Sequence, residues 1–197
     1  MITVLIDGFG CYLFIINIFG FILFAVNTWL YSHTQDKQID MVLNIISLLG
    51  GSLGIISGIL IIDRKARKNN MMSRVFVICV LIIQIIAFLM FKGMHQEKIS
   101  FAFWEFFGQH KLLSIYLVII NIVTFIAFGI DKLKAVSHKY RIRIITLLGL
   151  AFAGGSAGGM LGMYVFRHKI NKDYFTIGIP LIILMQAVVV FFLMNLK

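Results

Sequence analysis

The chain has 197 residues, of which 60% are hydrophobic and 13% charged, with a mean hydropathy of +0.98. A water-soluble domain has no interior large enough for that much apolar surface, so the composition excludes one and marks an all-α integral membrane protein. The net charge of +10 would suggest nucleic acid in a soluble domain, but here Lys and Arg lie in loops beside apolar runs, and anionic phospholipids, with no nucleic acid, are the expected partners.

Six apolar stretches meet or approach the roughly 20 residues that a helix needs to cross the hydrocarbon core. They cover residues of about 9–31, 41–62, 75–91, 112–130, 144–166 and 175–194. Barrel strands alternate every second residue, and these runs do not, which leaves transmembrane helices. Residues 1–8 hold no Lys or Arg and no small-residue cleavage pattern, so the first span reads as a permanent helix. Cys11 and Cys79 fall inside spans and read as inert packing thiols.

Residues 12–65 recur without a gap as residues 116–169, at a constant offset of 104. Tyr12-Leu13 matches Tyr116-Leu117, Asn17-Ile18 matches Asn121-Ile122, and Gly50-Gly51-Ser52 matches Gly154-Gly155-Ser156. Agreement at polar and glycine positions points to a tandem duplication. The predicted organisation is a first three-helix repeat over 1–92, an interfacial linker over 93–111 and a second repeat over 112–197. Three spans per copy is an odd number, so the second copy is expected to enter the membrane in the opposite direction. The fold expected is therefore six transmembrane helices as two inverted three-helix repeats. If all six spans alternate sides, Lys and Arg divide 11 against 7, which favours a bacterial cytoplasmic membrane protein with both termini cytoplasmic.

The second and fifth spans carry small-residue ladders. Gly50, Gly51, Gly54 and Gly58 in one copy, and Gly154, Gly155, Gly158 and Gly162 in the other, predict close helix packing. Asn17 and Asn121 occupy equivalent points of the first and fourth spans, and Gln84 and Gln186 nearly equivalent points of the third and sixth. A buried amide in lipid needs a partner, either an interhelical hydrogen bond or a bound ligand. The linker core from Ile99 to Phe107 is aromatic and too short to span, as an interfacial helix would be. Pro180 is expected to kink the sixth span, helped by Gly178.

The charged motifs are Asp131-Lys132 at the end of the fourth span, Arg141 before the fifth, and Arg167-His168-Lys169 after it. With the second copy inverted, Asp131, Lys132 and Arg141 are expected to share the cytoplasmic boundary with Asp63, Arg64 and Lys65. Arg167, His168 and Lys169 then lie at the other with Lys37 and Asp40. Two charged mouths fit a transporter or channel for a small polar or anionic species or a lipid headgroup. The alternative is a non-catalytic accessory or envelope-stabilising protein that binds anionic lipid, a membrane partner or a second copy of itself. The five His residues lack the spacing of a metal motif, and no Ser or Cys stands in a nucleophile arrangement, so no metal or cofactor is expected, and an enzyme acting on a lipid phosphate through Asp131 and His168 is the third and weakest reading.

The run Tyr116, Asn121, Thr124-Phe125, Phe128-Gly129, Asp131-Lys132, then Arg141-Ile142, Leu147-Leu148, Gly154-Gly155, Gly158, Phe166-Arg167-His168-Lys169 and Phe175 resembles the bacterial membrane family catalogued as domain of unknown function 1294. The resemblance covers about residues 112–190, and the first half joins it through the internal repeat. That family usually carries Pro and Glu after the Arg-Ile pair, where this chain has Arg143 and Ile144. The offset places Asp40 at the position of Ile144 and Lys37 at that of Arg141, so the two copies divide the charged motifs unequally.

Overall fold

The structure is a computed structural model that describes residues 2–33, 39–63, 71–93, 99–138 and 140–196. Every element among them is helical, and six segments are long and apolar enough to cross a membrane: Gly8–Leu30, Met41–Ile61, Met71–Phe91, Lys111–Val136, Ile144–Val165 and Asp173–Met194. The chain divides into two units, Met1–Ile85 and Ile86–Lys197. Polar side chains such as Thr124, Asp131 and Ser156 are buried while Ile119, Ile122 and Ile126 are exposed. That inverted pattern suits a bundle whose solvent is lipid.

In the first unit, α1 (Ile2–His33) is followed by α2 (Ile39–Ile46), a π-turn over Ser47–Gly51, α3 (Ser52–Ile61) and the larger part of α4 (Met71–Phe91), which ends in the second. The second unit holds α5 (Phe103–Gln109), α6 (Lys111–Val136), α7 (Ile144–Leu150), a π-turn over Ala151–Gly155, α8 (Ser156–Val165), α9 (Asp173–Thr176) and α10 (Gly178–Met194). Trp104 on α5 is 92% exposed, as an aromatic anchor at a membrane interface would be.

The fifth segment does not run straight through. A continuous helix over its 22 residues would separate its ends by about 33 Å at about 1.5 Å per residue. Instead, Ile142 just before α7 and His168 just after α8 both bond the carboxylate of Asp131, at 2.8 Å each. The segment folds back on itself at Gly154, whose φ of 116° is open to glycine and strained for any side chain. The α8 helix then returns alongside α6 in the same direction: Gly158 faces Asn121, Gly162 faces Phe125 and Phe128, and Phe166 faces Gly129. Helices α7 and α8 therefore form a re-entrant helical hairpin that enters and leaves on one side of α6.

The first unit repeats this turn. Gly50 has φ of 109°, and α3 runs beside α1 with Gly54 against Asn17 and Gly58 against Phe24. The small residues are required by this close approach, since a Cβ at Gly54 or Gly158 would overlap the backbone carbonyl of Asn17 or Asn121. Gly51 and Gly155 are equally crowded, by Ile46 and Thr124.

The sixth segment is interrupted at Ile177, one turn before Pro180. A proline ring clashes with the carbonyl four residues earlier, here that of Thr176, and α9 ends at Thr176. Pro180 then falls in the first turn of α10, where no amide proton is needed. At the far end Asn195, fully buried, accepts from the Ser100 amide at 2.6 Å and donates to the Ser100 carbonyl at 3.1 Å. The second unit thus begins and ends on the side opposite Asp131.

Candidate functional site

Two polar constellations organise each unit, one at the hairpin turn and one at its base. At the turn of the second unit, Asn121 Nδ2 donates to the carbonyls of Leu117 (2.7 Å) and Gly154 (2.9 Å), and its Oδ1 accepts from the Gly158 amide at 2.6 Å. One amide therefore satisfies backbone groups on both sides of the break. From the other side Gln186 donates to the carbonyls of Ala151 (2.7 Å) and Phe152 (3.2 Å) and accepts from the Ser156 hydroxyl. Tyr116 closes the turn through a 2.6 Å bond to the Ala153 carbonyl.

The first unit repeats each contact with its own residues. Asn17 reads Leu13, Gly50 and Gly54 at 2.7, 3.0 and 2.8 Å. Gln84 reads Ser47 and Leu48 and accepts from Ser52, and Tyr12 bonds the Leu49 carbonyl at 2.7 Å. Opening a helix in lipid exposes backbone groups that water cannot reach, and these side chains supply the bonds the break removes. A shallow apolar groove between α1 and α3 runs past Asn17 and Gly54.

At the base of the second hairpin, Asp131 is fully buried. Its Oδ1 accepts from the Ile142 amide, while its Oδ2 takes His168 Nε2 at 2.8 Å and Lys169 Nζ at 2.7 Å. Lys169 also lies 4.9 Å from the ring centre of Phe175, which packs edge-on against Phe128. Three chain segments, from α6, the α6–α7 loop and the α8–α9 loop, are thus tied by one carboxylate.

The α8 helix ends in a Schellman motif. The His168 amide bonds the Met163 carbonyl at 3.0 Å and the Arg167 amide that of Tyr164 at 3.2 Å. Glycine is the usual residue at the left-handed position of that motif, yet here it is Arg167, with φ of 44°; Lys169 follows at 63°. In the first unit the equivalent base is closed by Arg74, which bonds the carboxylate of Asp63 at 3.0 Å and its carbonyl.

This placement corrects the expectation that Asp131 and the Arg167-His168-Lys169 motif lie at opposite boundaries. They meet because the fifth segment reverses at Gly154. The Gly-Gly-Ser step in the middle of an apolar run was the available signal; as a packing ladder it fits a straight helix equally well. Lys132 lies next to this cluster on α6 and is half-buried, and Arg141 and Arg167 are exposed. Lys37 lies outside the described residues, as does the side chain of Asp40, so their expected place beside Arg167 has no structural counterpart here.

A buried-polar, apolar-surfaced helical bundle with a helix broken inside the membrane segment defines the class: a multi-pass membrane protein. Residues 121–175 match the sequence profile of a family described as protein of unknown function (DUF1294). Uncharacterized protein YsdA of Bacillus subtilis (strain 168) is 40% identical over 79 residues, which is 40% of this chain and 89% of that relative. The chain belongs to this family. No solved structure matches it. The relative is about as long as one unit of this chain, and Asp131 and His168 both fall within the matched profile.

Proposed function

We propose that the protein is a carrier or channel for a small anionic species in the bacterial cytoplasmic membrane, worked by its re-entrant hairpins. The observation that carries this reading is the helix broken at Gly154 and, in the same way, at Gly50. Discontinuous helices and re-entrant hairpins at membrane depth recur where a protein must present backbone groups to a permeating species.

The hairpins also change the expected topology. A unit with two crossing helices and a hairpin returns to the side from which it started, in place of the three crossings expected for each copy. Lys and Arg support this arrangement. Counted by sequence position within each copy, six fall in residues 37–74 and eight in residues 132–172, the segments that flank the hairpins, against Lys92, Lys98, Lys111 and Lys197 elsewhere. The division sharpens from 11 against 7 to 14 against 4, and the positive-inside rule then puts the hairpin bases in the cytoplasm and both termini outside.

The test is flux. Vesicles containing the purified protein should release trapped inorganic phosphate or chloride faster than empty vesicles. In a Cys11→Ser, Cys79→Ala background, a short thiol cross-linker between Ser156→Cys and Gln186→Cys should stop that release by pinning the hairpin turn to α10. Release equal to that of empty vesicles for both anions would overturn the proposal. The accessory reading is favoured by one observation, the complete internal bonding of Asp131, and it predicts retained anionic lipid after purification with no flux.

A further inference from the structure

The three segments that meet at Asp131 each carry a cation one residue from the anchoring atom. Lys132 follows Asp131, Arg141 precedes the Ile142 amide on Oδ1, and Arg167 precedes the His168 ring on Oδ2. Their backbones converge because one carboxylate holds all three segments. The carboxylate charge is already matched by Lys169, so the other three charges have no counter-ion in the cluster. Among the described residues, the side chains of Lys132, Arg141 and Arg167 make no ion pair or hydrogen bond. Like charges carried on adjoining backbone segments repel one another, and a bound anion relieves that repulsion. Arg167 adds a second sign, because it holds a left-handed backbone position that glycine would occupy without strain.

We propose that Lys132, Arg141 and Arg167 form one binding site for a phosphate group, carried by an anionic phospholipid headgroup or free as inorganic phosphate. The two guanidinium groups offer paired N–H donors that match the oxygens of a phosphate, and the lysine adds a point charge. The site lies at the base of the hairpin, at the end of α6, where a headgroup meets the membrane boundary. It deepens the anion-handling reading above, and its place in transport rests on that reading, while binding itself does not require flux.

The experiment uses the full chain in phosphatidylcholine nanodiscs and reads the thermal midpoint during titration with dioctanoyl phosphatidic acid or inorganic phosphate. A ligand that binds the folded state raises the midpoint with concentration. Lys132→Ala, Arg141→Ala and Arg167→Ala should each weaken binding about tenfold, the loss of one charge-assisted hydrogen bond. Arg141→Lys and Arg167→Lys keep the charge and should bind between wild type and the alanine variants, which separates lost binding from lost folding. Lys111→Ala, at the opposite end of α6 from Lys132, should bind as wild type.

A shift with inorganic phosphate that competes with the lipid identifies the free anion as sufficient, and a shift with the lipid alone identifies the headgroup; both support the site. No shift with either probe, a shift that survives all three alanine substitutions together, or an equal loss in Lys111→Ala would overturn it. Flux that persists without binding overturns this site and leaves the carrier reading standing, whereas binding without flux does the reverse.

Discussion

Asp131→Ala should lower the stability of the purified protein by about 3–5 kcal/mol, the usual cost of removing one partner of a buried ion pair. The substitution strands the Lys169 ammonium, the His168 ring and the Ile142 amide together, in a place where Lys169 and His168 are only 13% and 12% exposed. It also unties three chain segments at once, so the loops at 137–143 and 166–172 should become sensitive to protease before the rest of the chain. Asp131→Asn keeps an oxygen for the Ile142 amide and loses the charge, which places its cost between wild type and alanine. Thermal melting in detergent with limited proteolysis reads both effects. An Asp131→Ala protein that melts and cleaves like wild type would show that the carboxylate does not hold the hairpin.

Gly158→Ala and Gly54→Ala should each be strongly damaging for the addition of a single carbon. Each new Cβ would overlap the backbone carbonyl of an asparagine, Asn121 or Asn17, whose side chain is itself bonded across the break. Neither backbone can move without opening the amide bonds that seal the hairpin turn. Overpacking of a tight interior typically costs about 1–3 kcal/mol and sometimes more, and the lost bonds add to that here. Gly149→Ala is the contrast, because nothing lies within 4 Å of its added carbon. In the interior of α7 it should gain up to about 1 kcal/mol of helix propensity. Yields of monodisperse protein and melting midpoints for the three variants would check the order; equal behaviour of Gly158→Ala and Gly149→Ala would contradict it.

Much of the local chemistry was legible in the residues, and one global feature was not. The offset of 104 predicted paired polar positions, and Tyr12 and Tyr116, Asn17 and Asn121, and Ser52 and Ser156 make the same bonds in each unit. Span lengths and the need of buried amides for partners were also readable, because both follow from the lipid solvent. The chain reversal at Gly154 was hidden because hydropathy sums apolar residues along a segment and cannot tell 22 residues that cross from two short helices that turn back. Its consequence, the meeting of Asp131 with His168 and Lys169, was hidden with it. The weak charge bias of a six-crossing arrangement was the physical hint, since two crossings per copy divide the same cations far more unequally.

Helices α7 and α8 enter and leave the bundle on one side of α6. Single cysteines placed at Ser137 and Asn171, in a Cys11→Ser, Cys79→Ala background, test this through labelling by a membrane-impermeant thiol reagent added to intact cells or to opened membranes. Both residues should stay unlabelled in intact cells and react once the membranes are opened, while a cysteine at Trp104 should react in intact cells. Labelling of Ser137→Cys and Asn171→Cys from opposite sides would contradict the re-entrant hairpin and restore a straight fifth span.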